Sequence, residues 1–215
     1  MLFKNREEAG CVLAQRLAPY KSQKPVVLAV SNGALPMAQK IAEVLQAELD
    51  VILVKKIAAP ADPEFTIGAL SESGEFHLAE MGGGLSRQYL ENRAKAEFAK
   101  LIHKRKQYST LKSPVGLNKK TVIIIDEGIA TSETVLAAIE YVRRQNPEKI
   151  IVGTIVSTFE TIKSLKKECD EVIVLYTPVL FSSVGTYFEK CPKVTNKDVE
   201  RILIEESKNG LVCLY

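Results

Sequence analysis

The sequence lacks both the cysteine spacing of a metal site and the apolar segments of a membrane or secreted protein. Its four cysteines are widely scattered, at Cys11, Cys169, Cys191 and Cys213. Because no two of them form a CxxC pair, we expect no metal-ligand cluster and predict buried, reduced thiols. No apolar run is long enough to cross a bilayer, and the opening MLFKNREEAG has no apolar signal core. We therefore predict a soluble, cytoplasmic protein without a membrane partner.

A strong excess of charge is absent as well. The net charge of +3 is too small to indicate nucleic-acid binding by itself, so partners must be argued from local clusters. Hydrophobic residues make up 46% of the chain, which is ordinary for a globular protein, and 215 residues suffice for one sizeable core. No linker or internal repeat divides the sequence. We expect a single domain over residues 1–215.

Short apolar runs alternate with one-sided helical patterns along most of the chain. The runs suited to buried parallel strands are Val26–Val30, Val51–Val54, Val122–Ile125, Ile150–Ile155 and Val172–Leu175. Helical patterns are found at Ala34–Gln46, Arg87–Tyr108, Thr134–Arg144, Thr158–Lys167 and Lys197–Lys208. This alternation predicts an α/β fold, a doubly wound and mainly parallel five-stranded sheet with flanking helices.

The alternation breaks between the second and third predicted strands. Phe65–Leu70 and Glu75–Ala79 flank a short polar loop, which predicts a β-hairpin. The glycine-rich stretch Met81–Gly84 follows and is either a lid or hinge or a plain connector. We treat residues 65–86 as a hairpin and flexible loop. Residues 177–215 form a C-terminal region with an irregular aromatic stretch before its helix.

The segment Thr121–Thr134, TVIIIDEGIATSET, is the most informative part of the sequence. An apolar strand ends in Asp126 and Glu127, which places two carboxylates at the carboxyl edge of the sheet, where open α/β sheets bind ligands. The small residues that follow, beginning with Gly128, allow backbone amides to surround an anion at a helix N-terminus. The two acids could bind sugar hydroxyls, and the neighbouring backbone amides could bind a phosphate. The segment therefore predicts a ribose-phosphate ligand. The alternative is that polar residues simply end a strand.

Several blocks resemble type I phosphoribosyltransferases, in particular a bacterial phosphoribosyltransferase-like subgroup. The segment Thr121–Thr134 resembles their ribose-phosphate motif, and Phe3–Gly10 fits the subgroup's opening Phe-x-x-Arg-x-x-Ala-Gly. Two further blocks resemble the subgroup's Lys-Ile-x-x-Pro…Glu…Ile-Gly-Ala and C-terminal Phe-x-x-Val-Gly patterns. Their residues here are Lys55, Lys56, Ile57, Pro60, Glu64, Ile67, Gly68 and Ala69, and Phe181 to Gly185 with Tyr187 and Phe188. The resemblance covers nearly the whole chain.

The resemblance implies an enzyme that transfers 5-phosphoribose from phosphoribosyl pyrophosphate to a nitrogenous base, by default purine-like, and releases pyrophosphate. Asp126 and Glu127 would hold the ribose hydroxyls, while a Mg²⁺ ion would screen the pyrophosphate. The 5-phosphate would be bound by the loop Ala130, Thr131, Ser132, Glu133 and Thr134. The fold would carry a small C-terminal hood over residues 177–215, and a homodimer is compatible with the family.

The phosphate loop departs from the family pattern at two positions. Ser132 stands where the family usually has Gly, which is awkward if the backbone there needs a positive φ. Glu133 stands where a small residue is usual, and a carboxylate near a phosphate repels it. The Glu133 side chain could point to solvent and complement the helix dipole, or occupy the anion site itself. The sequence leaves both open.

The loop after the first strand departs as well. The subgroup typically has Pro-Arg-Gly-Gly where this chain has Ser31-Asn32-Gly33-Ala34. Asn32 removes a fixed positive charge for pyrophosphate, while Gly33 keeps the turn. Lys55 and Lys56 are predicted to end the second strand at the same sheet edge, and the resemblance assigns Lys56 to pyrophosphate; solvated strand ends are the alternative.

The sequence is compatible with two other functions. Asn32 and Glu133 both subtract positive potential, which is compatible with a regulator that binds a nucleoside monophosphate or phosphoribosyl ligand without turnover. The cluster Lys100, Lys104, Arg105 and Lys106 is interpreted as a solvated helix end, with RNA binding as a less favoured alternative. The aromatic residues Tyr176, Phe181, Tyr187 and Phe188 are predicted core, with one of them a candidate for stacking on the acceptor.

Overall fold

The computed structural model describes residues 2–59, 66–79 and 86–212, apart from the side chains of Arg87 and residues 209–212. The helices are α1 (Arg6–Leu17), α2 (Ala34–Leu45), α3 (Arg87–Leu111), α4 (Glu133–Arg143), α5 (Phe159–Leu165) and α6 (Asn196–Val212). The strands are β1 (Val26–Ala29), β2 (Glu48–Val51), β3 (Val54–Ala58), β4 (Thr66–Ser71), β5 (Phe76–Leu78), β6 (Thr121–Ile129), β7 (Lys149–Ser157) and β8 (Glu171–Tyr176). Short 3-10 helices cover Ala18–Gln23 and Val184–Tyr187. Within the described ranges, no helix combines the length and apolar character that a bilayer span requires.

The main sheet has five parallel strands in the order β2-β1-β6-β7-β8, which confirms the predicted fold class. Its strands are apolar on both faces because helices cover both of them. Val27, Ile123 and Ile151 face a core shared with α1 and α2. Their neighbours Val26 and Ile124 face a second core, which contains the apolar side of α4. The continuous apolar runs in the sequence follow from this double coverage.

The predicted strand Val51–Val54 is wrong, because the chain changes sheets within that apolar run. Val51 ends β2, and Val54 begins β3, which pairs antiparallel with β4 in a second sheet of order β3-β4-β5. At the crossing, the Leu53 N–H donates to Glu72 Oε1 at 3.0 Å instead of to a neighbouring strand. The predicted hairpin is confirmed as β4 and β5, while Phe65 and Met81–Gly84 lie outside the described residues.

An ion-pair network fastens the long helix α3 to both sheets. The Arg105 guanidinium donates to the Glu72 carboxylate, and its Nη2 also donates to the Val51 carbonyl at 2.5 Å. Its Nη1 lies 3.6 Å from Asp50 Oδ1. Arg105 is therefore part of the buried framework, and the interpretation of residues 100–106 as one solvated face is wrong at this position.

Phe3, near the start of the chain, pairs with residues of the C-terminal region. The Phe3 N–H donates to the Tyr187 carbonyl and the Glu189 N–H donates to the Phe3 carbonyl, both at 2.8 Å. Phe188 is buried against Phe3, as predicted for a core aromatic, whereas Tyr176 is exposed. This pairing brings the opening pattern of the sequence next to its C-terminal aromatic stretch.

The prediction of buried, reduced thiols is only partly correct. The described cysteines, Cys11, Cys169 and Cys191, are free as expected, but none is fully buried, since the first two are half-buried and Cys191 is exposed.

Candidate active site

A cavity of about 590 Å³ opens at the carboxyl ends of β1 and β6. Its floor is formed by Ser31 and Asn32 after β1 and by Asp126, Glu127 and Gly128 at the end of β6. Its opposite walls are formed by Lys55 and Lys56 of β3 and by Glu97, Lys100 and Lys104 of α3. Thr134 and Val184 complete the polar and apolar rim. Acids and cations from distant parts of the sequence thus face one space.

Asp126 lies on the cavity floor in an environment that resists its ionisation. Its Oδ1 accepts from the Ser31 hydroxyl and from the Glu127 N–H, both at 2.9 Å. Burial raises the pKa of Asp126 to about 6, and the two hydrogen bonds and the nearby Lys56 reduce that shift. The carboxylate is therefore ionised at neutral pH but close enough to its pKa to respond to a ligand.

Glu127 does not point freely into solvent, because two neighbours fix its carboxylate. Its Oε1 accepts from Arg6 Nε at 2.5 Å. Its Oε2 occupies the space beside Gly33, where an added Cβ would come within 1.9 Å of that oxygen. Gly33 is thus required for the position of the second acid rather than only for a turn, and its own backbone is helical, with a φ of −63°.

Arg6 is bonded to the site, although the sequence did not predict it as a site residue. It is 9% exposed, donates through Nη1 to the Pro192 carbonyl at 2.7 Å, and lies 5.7 Å from the centre of the Phe188 ring. It therefore joins the start of α1, the acid at the end of β6 and the C-terminal region. The available signal was its place in the opening pattern Phe3–Gly10, where it counted only as part of a resemblance.

Four lysines give the cavity a positive wall. Lys55 and Lys56 reach it from β3 of the second sheet, so their predicted place at the end of a main-sheet strand is wrong although they line the cavity. Lys100 donates to Glu97 Oε1 at 2.9 Å, and this bond lowers the pKa of Glu97. Lys104 extends to the loop after β1, where its Nζ donates to Asn32 Oδ1 at 3.4 Å.

The loop after β6 has an ordinary backbone conformation, so Ser132 is compatible with the predicted phosphate loop. Ser132 has a φ of −82° and a ψ of −19°, so the right-handed helical conformation there imposes no need for glycine. Ala130 and Thr131 are exposed, and the Ala130 carbonyl accepts from Thr161 at 2.9 Å. The predicted phosphate loop therefore leads directly into α4 without strain.

The first turn of α4 contains two polar atoms without partners among the described residues. Thr134 Oγ1 is buried at the rim of the cavity and forms no hydrogen bond. Glu133 Oε2 is also shielded from solvent and forms no hydrogen bond with a described residue, so this oxygen of the carboxylate does not face water. Glu133 does not line the cavity, whereas Thr134 offers a free hydroxyl to a ligand there.

Gly128 allows the C-terminal aromatic stretch to pack onto the end of β6. A Cβ added to Gly128 would come within 2.6 Å of Val184 Cγ2, 2.8 Å of Val156 Cγ1 and 3.5 Å of the Phe181 ring. The segment that contains Phe181 and Val184 thus closes one side of the cavity. This is the position from which the sequence predicted that an aromatic residue would meet an acceptor.

The described part of the chain contains no group of three histidine, cysteine or carboxylate side chains that could enclose a metal ion. The carboxylates that line the cavity are Asp126, Glu127 and Glu97. Because Glu97 is paired with Lys100 and Glu127 with Arg6, Asp126 is the acid most available to a cation. This donor set fits Mg²⁺ that arrives bound to phosphate oxygens and keeps its waters, and it does not fit a closed protein cage.

Comparisons with known proteins agree with this geometry. A family model for a phosphoribosyl transferase domain matches residues 5–182. Two Mycobacterium tuberculosis proteins, from strains CDC 1551 and H37Rv, are each named "Putative phosphoribosyl transferase". Both are 30% identical to this chain over 205 residues, which cover 94% of this chain and 46% of theirs. The chain thus spans about half the length of the curated relatives it matches.

Solved structures extend the likeness to three dimensions. The crystal structure of the protein TT1426 from Thermus thermophilus is 35% identical with a TM-score of 0.82, covering 96% of this chain and all of that one. A Neisseria gonorrhoeae protein crystallised with ppGpp has a TM-score of 0.51 at 9% identity, with coverage of 95% and 94%, and this likeness concerns the fold alone. From its sequence and its structure, the chain belongs to the phosphoribosyl transferase domain family.

Proposed function

We propose that this protein transfers 5-phosphoribose from phosphoribosyl pyrophosphate to a nitrogenous base, of which a purine is the first to test. The observation that carries this proposal is the arrangement of the acids and lysines around one cavity. Asp126 and Glu127 end β6 on its floor, and Lys55, Lys56 and Lys104 face them from the walls. A ribose with phosphates on both sides needs hydroxyl acceptors flanked by cations, and this cavity has both.

Each part of the substrate finds a matching group. The ribose hydroxyls donate to Asp126 and to Glu127, whose carboxylate Arg6 holds in place. The 5-phosphate accepts from the backbone of residues 130–134 and from the unpartnered Thr134 hydroxyl at the start of α4. Phe181 and Val184, which pack over Gly128, lie where the base would enter. The protein contributes mainly by positioning and by electrostatic stabilisation of the departing pyrophosphate.

A magnesium ion belongs to this proposal as part of the substrate. Bound to the diphosphate, it neutralises the charge that grows on the leaving group. Asp126 would be the carboxylate available to it, because Glu127 and Glu97 are paired, and its position beside Ser31 would let it accept either a ribose hydroxyl or a metal-bound water.

The direct test measures the binding of phosphoribosyl pyrophosphate by calorimetry in the presence of Mg²⁺, together with pyrophosphate release on addition of purine and pyrimidine bases. We expect binding and, with one class of base, release. The variant Asp126→Asn/Glu127→Gln should lose both. A matched control is Glu205→Gln/Glu206→Gln, which removes two adjacent carboxylates from α6, outside the cavity. Equal loss in both variants, or none in the first, would exclude the assigned ribose site.

A second candidate function is a regulator that binds a nucleoside monophosphate without turnover. The observation that favours it is Glu133, whose carboxylate has one oxygen shielded from solvent and lies in the first turn of α4, next to the proposed phosphate position. Tight binding of a nucleoside monophosphate with no pyrophosphate release from any base would support this function. If Glu133→Gly then produced turnover, the carboxylate itself would be what prevents catalysis.

A further inference from the structure

The loop after β1 has no basic residue, but a lysine of α3 lies beside it. Asn32 carries no charge, yet its Oδ1 accepts from Lys104 Nζ at 3.4 Å, and Lys104 belongs to α3, far along the chain. We infer that Lys104 is a specificity-determining binding residue that holds the pyrophosphate group, in place of a basic residue at position 32. This inference rests on the proposed function and assigns one part of the substrate to one side chain.

The contact places the ammonium at the junction of the two sides of the cavity. Asn32 lies at the floor and also donates through Nδ2 to Asn196 Oδ1 at 3.1 Å, so its amide is oriented with the oxygen toward Lys104. Both residues line the cavity. A pyrophosphate that enters beside Asp126 therefore meets the Lys104 ammonium directly, with Asn32 as a neutral neighbour that repels neither group.

The charge of Lys104 has no counter-ion among the described residues. Lys100, one turn earlier on α3, is paired with Glu97, whereas no carboxylate in the described part of the chain forms an ion pair with Lys104. Burial and the proximity of Lys55 both lower the pKa of Lys104. A half-buried ammonium that another lysine repels is unfavourable until an anion arrives, and a pyrophosphate supplies several negative oxygens.

Lys104 also makes a contact that would suit a structural role rather than a binding role. Its Nζ lies 5.2 Å from the centre of the Tyr108 ring, which is a favourable cation–π contact within α3. That contact accounts for the direction of the side chain but does not remove the repulsion from Lys55. The two roles differ in what the lysine does to ligands, so ligand affinity separates them.

The helix that carries Lys104 is held rigidly. The next residue, Arg105, is bonded to Glu72 and to the Val51 carbonyl, which fixes this turn of α3 against β2 and β4. Lys104 is therefore positioned before the ligand binds, and little conformational freedom is lost when it does.

The test compares the wild type with Lys104→Gln and with the control Lys106→Gln, which removes the same charge from an exposed position on the same helix outside the cavity. Calorimetry with inorganic pyrophosphate and Mg²⁺, with phosphoribosyl pyrophosphate, and with ribose 5-phosphate separates the two phosphate positions. We expect Lys104→Gln to weaken the first two by about tenfold to one-hundredfold and to leave ribose 5-phosphate unchanged. Lys106→Gln should change none of them.

A rescue variant distinguishes a binding role from a structural one. Asn32→Arg in the Lys104→Gln background returns a positive charge to the same corner of the cavity and should recover most of the lost pyrophosphate affinity. Equal affinities in wild type and Lys104→Gln, or an equal loss for ribose 5-phosphate, would overturn the role of Lys104 while leaving the proposed function intact. A wild type that binds neither phosphoribosyl pyrophosphate nor pyrophosphate would overturn both.

Discussion

Arg6 Nε lies 2.5 Å from Glu127 Oε1, which joins the first turn of α1 to the last residues of the central strand. Both side chains are largely shielded from solvent, with 10% and 15% of their surfaces exposed. Because Arg6 also binds the Pro192 carbonyl, the second acid of the site is fixed by two segments at opposite ends of the chain. Under the proposed function, ligand binding at Glu127 would be coupled to the packing of both.

The first prediction concerns this ion pair. Arg6→Met should lower the free energy of unfolding by about 3 kcal/mol, because it leaves the Glu127 carboxylate shielded from water without its partner. It should also weaken ribose 5-phosphate binding, since Glu127 would no longer be held beside Gly33. Urea unfolding and calorimetry measure the two effects.

The matched control is Arg6→Met in the Glu127→Gln background, in which no carboxylate remains to be stranded. There the loss of stability should fall to roughly that of the hydrogen bond to the Pro192 carbonyl and the packing contact with Phe188. A loss of the same size in both backgrounds would show that the ion pair is not its source.

The second prediction concerns Gly33. Its helical φ of −63° suits alanine, so Gly33→Ala carries no backbone penalty. The new Cβ would, however, come within 1.9 Å of Glu127 Oε2 and displace that carboxylate from Arg6. We expect a loss of about 1–2 kcal/mol in the free energy of unfolding, and none when Glu127 is already alanine. A double-mutant cycle by urea unfolding measures this coupling, and additive effects of the two changes would contradict it.

The sheet and its order of elements could be predicted from the sequence because the local pattern and the tertiary packing agree there. Val26–Ala29 and Val122–Ile125 are apolar and buried on both faces, as strands between two helical layers must be. The error at Val51–Val54 has a physical cause. That run is apolar throughout and buried from Val51 to Leu53, so hydrophobicity alone could not show that the chain leaves one sheet and enters another between Ile52 and Leu53.

The acids of the site could be predicted for the same reason, and Lys56 is also predicted as a cation of the site, whereas Lys104 and Arg6 are not. Asp126 and Glu127 follow their strand directly, so their place at the sheet edge follows from the strand itself. Lys104 lines the cavity from α3, and Arg6 of α1 contacts the carboxylate of Glu127. Their approach depends on the packing of α1 and α3, which helical periodicity does not determine. In the sequence, Arg6 stood out only as part of the opening pattern that resembles a family.

The third prediction concerns the pH dependence that Asp126 produces. Burial raises its pKa from 3.8 to about 6, so folding favours the protonated form. Its contribution is fully present below about pH 4 and is lost as the pH rises through about 6. Between these limits the wild type should lose about 3 kcal/mol relative to Asp126→Asn, whose amide oxygen can still accept from Ser31. Urea unfolding of both proteins at a series of pH values measures the difference.

Ser31→Ala provides the control for that titration. The Ser31 hydroxyl donates to Asp126 at 2.9 Å and lowers the pKa of the carboxyl, so its removal should move the midpoint to higher pH. A difference between wild type and Asp126→Asn that does not change with pH would exclude the raised pKa. Ribose 5-phosphate affinity should decline below about pH 6, where Asp126 becomes protonated.

The fourth prediction concerns the anchor of α3. Arg105→Met removes the bonds from the guanidinium to Glu72 and Val51 and the proximity to Asp50, while the Glu72 carboxylate retains, among the described residues, only the Leu53 N–H. The Glu72 carboxylate, 4% exposed, would be left with its charge uncompensated, and the free energy of unfolding should fall by about 3–5 kcal/mol. Adding Glu72→Gln keeps the acceptor for Leu53 but removes that charge, so the double variant should recover at least half of the loss. Urea unfolding measures both variants, and hydrogen exchange should show the loss concentrated in α3 and β4. A single-variant loss below about 1 kcal/mol would mean that helix packing, rather than Arg105, holds α3 and its lysines against the cavity.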